Sequence, residues 1–136
     1  MNRPITDLAD LLQSMRPTLH PGVYVYASLP QNTDVSALAP LGTFREAEGL
    51  TVIVLEEVAL RAGLTILLRS AWITLTVHSD LLAVGLTAGV ATALAQAGIP
   101  CNMVAGAFHD HLFVPVESGP AALAVLSALQ QHHTVS

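Results

Sequence analysis

Short apolar runs, separated by clusters of glycine, proline and polar residues, set the rhythm of this chain. Thr6 is placed to cap a first helix reaching about Met15, with Asp7 and Asp10 favourably near its positive end. Pro17 and the His20-Pro21-Gly22 triplet end it. GVYVYASL, from Gly22 to Leu29, is rich in β-branched and aromatic residues and predicts a strand. A more polar strand is expected over Thr43 to Ala47. Glu48-Gly49 then turns the chain into LTVIVL, Leu50 to Leu55, whose unbroken apolar character predicts a buried strand. Glu56 and Glu57 open a short helix that Gly63 ends.

The second half is patterned more sharply. AWITLTVH, Ala71 to His78, alternates as a strand does. Ser79 or Asp80 can cap a helix in which Leu86, Val90 and Leu94 recur every four residues and form one buried face. Cys101 to Phe108 predicts the next strand, His109-Asp110 a turn, and His111 to Val116 its antiparallel partner. Ser118-Gly119-Pro120 starts a last helix carrying Leu123, Leu126 and Leu129, with proline in the first turn where its missing N–H is harmless. The order strand, helix, strand, strand, helix is ferredoxin-like, with one strand to be supplied from elsewhere. The first half echoes it weakly, because LTVIVLEEVALRAGL and LFVPVESGPAALAVL both run from a buried strand through glutamate into a short helix. The expected fold class is therefore α+β: two degenerate βαββ-type modules sharing a composite antiparallel sheet, with helices on one face.

Composition narrows the function classes. Of 136 residues, 52% are hydrophobic and only 11% charged, and the mean hydropathy is +0.58. So little charge on so short a chain predicts that surface is hidden by pairing with a second copy. A net charge of −5, with five scattered arginines and no lysine, argues against nucleic acid, which needs a basic patch. Cys101 is the single cysteine and cannot form an internal disulfide, and the acids near the N-terminus do not suit a signal peptide. Both features point to a cytoplasmic protein. The nearly uncharged stretch from Leu81 to Ile99 approaches the length of a membrane span, but Thr87, Thr92 and Gln96 interrupt it and Gly98 with Pro100 ends it as a soluble helix ends.

The stretches FREAEGLT, TVHSDLLAVGLTA, AGIPCN and HDHLFVPV resemble a family of small bacterial ACT-domain proteins. More distantly, they resemble the ACT regions of aspartokinases and of cytosolic arginine sensors. The resemblance covers about two thirds of the chain. It implies a ferredoxin-like architecture, with residues 1–68 as a degenerate N-terminal module, 69–131 as the C-terminal module and 132–136 as a frayed tail. It also implies side-by-side pairing, regulation rather than catalysis, and an amino acid or similar effector bound at a module junction, with no cofactor. Carried onto this chain, the effector-binding pieces are His78, Ser79, Asp80, Leu81, Val84 and Gly85, faced by Asn102, Met103, Val104 and Ala105. Asp110 resembles the acidic residue before the next strand of the arginine-sensing relatives.

The residues themselves leave three chemistries open. A helix start near Ser79 to Gly85 presents unpaired N–H groups suited to an effector carboxylate, and Asp110 suits an amine; equally, Ser79 or Asp80 simply caps the helix. His109 and His111, two apart on an extended segment, point the same way and could ligate a metal, or they flank a turn in which Asp110 bonds local backbone. Cys101 near His78 lacks a visible third catalytic partner, and a buried cysteine is usually inert. The expected reading is a non-catalytic, effector-binding homodimer, with a metal-binding module or a purely structural interaction protein as the alternatives.

Overall fold

One long strand joins the two halves of the molecule. The structure is a computed structural model and describes residues 8–76 and 85–132. Strand β5, Leu68–Thr76, is met along the same edge by two strands in turn. Its start pairs with β2, Tyr24–Leu29, with Tyr24 opposite Ser70. Its end pairs with β1, Arg16–Leu19, with Arg16 opposite Thr76. The other edge of β5 carries β7, Asp110–Pro115, and beyond that β6, Asn102–Ala105. On the far side of β2 come β4, Gly49–Leu55, and then β3, Gly42–Glu46. The order β3-β4-β2-β5-β7-β6 is antiparallel throughout, with β1 the additional partner of β5.

This order is two ferredoxin-like sheets fused through β5. The first comprises β2, β3, β4 and the start of β5, with a single 3-10 turn at Ser36–Leu38 where a first helix would stand. Its second helix is α2, Glu56–Arg61. The second comprises β5, β6, β7 and β1, with α3, Leu86–Gln96, between β5 and β6, and α4, Gly119–His132, after β7. The strand that the second half lacks in sequence is supplied by the chain's own N-terminal segment. Strand β1, from the first half of the chain, therefore stands in the sheet beside the end of β5. Pro17, expected to end a helix and nothing more, lies inside β1, which is an edge strand and tolerates a missing ladder N–H. The short helix before it, α1, Leu8–Ser14, carries Leu12 to the core.

Period-two alternation sends Ala71, Ile73, Leu75, Leu112 and Val114 to one face of the sheet, where they pack with Leu12, Met15, Leu86, Val90, Leu94 and Leu126. On the same face, Val25, Ala27, Val52 and Val54 pack with Ala59 of α2. Both clusters are aliphatic. Gly119 brings α4 so close that a Cβ there would stand 3.0 Å from Ala71 Cβ.

Three expected boundaries shift. The helix α3 begins at Leu86, with Gly85 as its N-cap at φ +108°, while Ser79 and Asp80 lie outside the described residues. Its buried stripe of Leu86, Val90 and Leu94 stands as expected, and Ile99 N–H closes the C-terminus on Leu94 O beyond Gly98 at φ +74°. The last turn before β7 is Gly106 to His109, closed by Gly106 N–H donating to His109 O at 2.9 Å. Asp110 is thereby in the strand, not in the turn. No helix among the described residues is long and apolar enough to cross a membrane.

Candidate functional site

Alternation along β6 and β7 divides the residues expected to hold an effector. Asp110 is opposite Leu75 on β5 and Ala105 on β6, so it shares the helix-covered face with Met103 and Leu112. Met103 packs against the core there. Asn102 and Val104, aligned with Phe113 and His111, belong to the opposite, uncovered face. Gly85 starts α3, and Leu86 beside it enters the same core as Leu75 and Leu112. A side chain at Gly85 would be strained at that φ. His78, Ser79, Asp80, Leu81 and Val84 lie outside the described residues.

Asp110 is 9% exposed, and no hydrogen bond to its carboxylate is found among the described residues. Burial raises its pKa above the ordinary carboxylate value, and the neighbouring His111 and His109 only partly oppose that shift. Its oxygens are not among the fully buried polar atoms left without a partner, so the carboxylate still reaches solvent, and a cationic group arriving there would favour its ionised form.

The uncovered face holds a second group of polar atoms, in which His111 meets His20, Trp72 and Thr74, three residues that the sequence pattern did not mark as site candidates. His20 follows β1, its N–H donates to Trp72 O at 2.9 Å, and its ring stacks on Trp72 with centroids 3.6 Å apart. Its Nε2 lies 2.7 Å from Thr74 Oγ1, which lies 3.1 Å from His111 Nδ1. Trp72 Nε1–H donates to that same Nδ1 at 3.2 Å. An indole nitrogen can only donate, so a neutral His111 carries its proton on Nε2. The Thr74 hydroxyl then donates to Nδ1 and His20 Nε2–H donates to the hydroxyl. Burial lowers the pKa of both histidines, and for His111 the nearby His109 and His20 lower it further. Lone histidines in a sequence do not reveal such a relay, because Thr74, Trp72 and His111 meet only through the β5–β7 register.

Among the described residues, His109 and His111 are joined by no third metal-ligating side chain. His111 Nδ1 is occupied, His109 sits in the turn with its Nδ1 buried and unpartnered, and no group of three His, Cys, Asp or Glu side chains gathers among the described residues. Cys101 is half-buried against the core, and burial raises its thiol pKa, which disfavours the thiolate a nucleophile needs.

Models of the ACT domain match the chain twice, over residues 3–69 and 67–128. A crystal structure of a Vibrio cholerae protein of unknown function, described as a possible transport protein, is 47% identical. It aligns over 91% of this chain and 96% of its own with a TM-score of 0.84. A protein from Agrobacterium tumefaciens is 18% identical over 85% of this chain and 89% of its own, with a TM-score of 0.67. The regulatory subunit of aspartate kinase from Thermus flavus is 15% identical over 83% of this chain and 95% of its own, with a TM-score of 0.56. These last two likenesses concern the fold. No curated protein matches the chain.

Proposed function

Since this chain belongs to the ACT-domain family and is distantly like the regulatory domains of aspartokinases, we propose that it is a non-catalytic regulatory protein whose effector is an amino acid. ACT domains point to regulation by small molecules. The amino-acid class rests on one observation of this chain, the largely buried Asp110 carboxylate, whose ionised form burial penalises. An effector ammonium beside it would favour the ionised form that burial penalises. The effector carboxylate goes to the amides around Leu81 to Gly85, of which Gly85 at the start of α3 is among the described residues. Leu86 and Leu75, which share a core, tie that helix start to the strand position opposite Asp110. The protein works in the cytoplasm as a homodimer.

A thermal-shift screen of the amino acids tests this reading, since a ligand preferring the native state raises the melting point. The expected result is a concentration-dependent rise for one amino acid or a related group. Asp110→Asn should weaken its binding about ten- to a hundredfold through loss of a charge-assisted contact. A bound amino acid whose affinity is unchanged in Asp110→Asn would remove Asp110 from the site. No shift with any amino acid would remove the amino-acid class.

A further inference from the structure

The aromatic residues of this protein stand apart from its two aliphatic clusters, although Phe113 is itself buried. The chain has three phenylalanines, two tyrosines and one tryptophan, and neither core cluster contains any of them. Register assigns Tyr24, Tyr26, Phe44, Trp72 and Phe113 to the face of the sheet on which no helix packs among the described residues. Several of them line one cavity of about 300 Å³, at the small end of ligand sites. Its walls come from both edges of the sheet, Phe44 on β3 and Val104 on β6, as well as from Ile53, Tyr26, Trp72 and Phe113 between them. In a flat sheet, with strands about 4.8 Å apart, β3 and β6 would stand about 24 Å from each other. They share one small cavity because the sheet curls into a trough.

We propose that this trough binds a small, flat, uncharged aromatic compound bearing a hydrogen-bond acceptor such as a ring carbonyl, with the acceptor on His111 Nε2–H. The walls suit a flat ring: Tyr26 meets Phe113 edge-to-face at 5.7 Å and Tyr24 meets Trp72 edge-to-face at 5.3 Å, so the rings brace one another. No charged side chain lines the trough, so an ion would lose its hydration there without compensation. Thr51 also lines it, but its hydroxyl is engaged with Glu46 Oε1 at 2.5 Å. His111 lines it too, and with Nδ1 held by Trp72 and Thr74 its remaining polar group is the Nε2–H donor. A Cβ on Gly106 would stand 3.3 Å from that Nε2 and 2.9 Å from His109 O, so glycine keeps the donor uncrowded. The trough is separate from Asp110, which is on the other face of β7.

Calorimetric titration of the intact protein with coumarin, a fused two-ring carbonyl compound, tests the proposal, with naphthalene and coumarin-3-carboxylate as comparisons. Saturable binding of coumarin at one site per chain is expected, with weaker binding of both others. His111→Phe, which keeps a ring but removes the donor, should weaken coumarin about tenfold and leave naphthalene unchanged. Phe44 is 71% exposed, so Phe44→Glu should fold normally and weaken both neutral probes by bringing a charge to the wall. Leu60→Ser, at an exposed leucine of α2, should change nothing. Coumarin binding that is absent, or that ignores both His111→Phe and Phe44→Glu, overturns the proposal. So does a dimer abolished by Phe44→Glu in protein that binds no probe, since a second copy would then be the occupant. None of these outcomes touches the amino-acid reading, which is tested with different ligands and at Asp110.

Discussion

Trp72 and His111 are diagonal neighbours across the β5–β7 pairing, and the indole Nε1–H of one donates to Nδ1 of the other at 3.2 Å. Protonating His111 would put the ring's second N–H at Nδ1, facing an indole donor that cannot reverse. The Trp72 contact would then break, and the Thr74 hydroxyl would have to turn from donor to acceptor toward His111, which reorders the Thr74–His20 relay.

That relay gives a pH dependence of known sign. The folded pKa values of His111 and His20 are depressed below 6.5, so the stability they carry is complete above the unfolded value and lost as pH falls through the folded values. The melting temperature should drop as pH is lowered below about 6.5, with a change in Trp72 fluorescence over the same interval. His111→Phe should flatten the dependence. A melting temperature that is level from pH 7.5 to 5 in the unmodified protein would refute the relay.

Asp110 acts in the opposite sense. Its folded pKa is raised above 3.8, so its contribution is present below that value and lost as pH rises through the folded one. At neutral pH the buried charge destabilises the ligand-free protein. Asp110→Asn should therefore raise stability at pH 7, measured by urea unfolding, while weakening effector binding. A loss of stability instead would mean that the carboxylate has a structural partner.

The N-terminal segment should be indispensable to the second half. Met15 is fully buried in the core that β5, β7, α3 and α4 build, and β1 completes their sheet. Met15→Ala should cost about 2–5 kcal/mol in urea unfolding. Removing the chain before Gly22 should abolish cooperative melting followed by circular dichroism. A truncated protein that melts as sharply as the whole would show that the C-terminal half completes its sheet without β1.

Edge strands β3 and β6 end the sheet, and Phe108, 81% exposed in the turn beside β6, adds apolar surface to that edge. A symmetric dimer is expected by light scattering at micromolar concentration. A 14.2 kDa particle at all concentrations would exclude it. Phe108→Glu should shift any dimer toward monomer.

Local pattern was enough to read most elements of this fold. The apolar run of Leu50 to Leu55, the four-residue recurrence of Leu86, Val90 and Leu94, and the proline-led start of α4 depend on neighbours in sequence. Periodicity and end signals report those directly. Arg16 to Leu19 escaped, because four residues around a proline carry little intrinsic strand signal and become a strand only by pairing with Ile73–Thr76. The family resemblance likewise drew Asp110, Asn102 and Val104 into one site, but strand register places the first on the opposite face from the other two. The sequence by itself determined the class of fold, its helical faces and Asp110 as a candidate. Tertiary structure alone decided that the N-terminus completes the C-terminal half, that the aromatics gather in a curled trough, and that His20, Thr74, Trp72 and His111 meet. Those outcomes depend on pairing between residues up to 60 positions apart, as between Arg16 and Thr76 in the β1–β5 ladder, and no local pattern encodes which strand lies beside which.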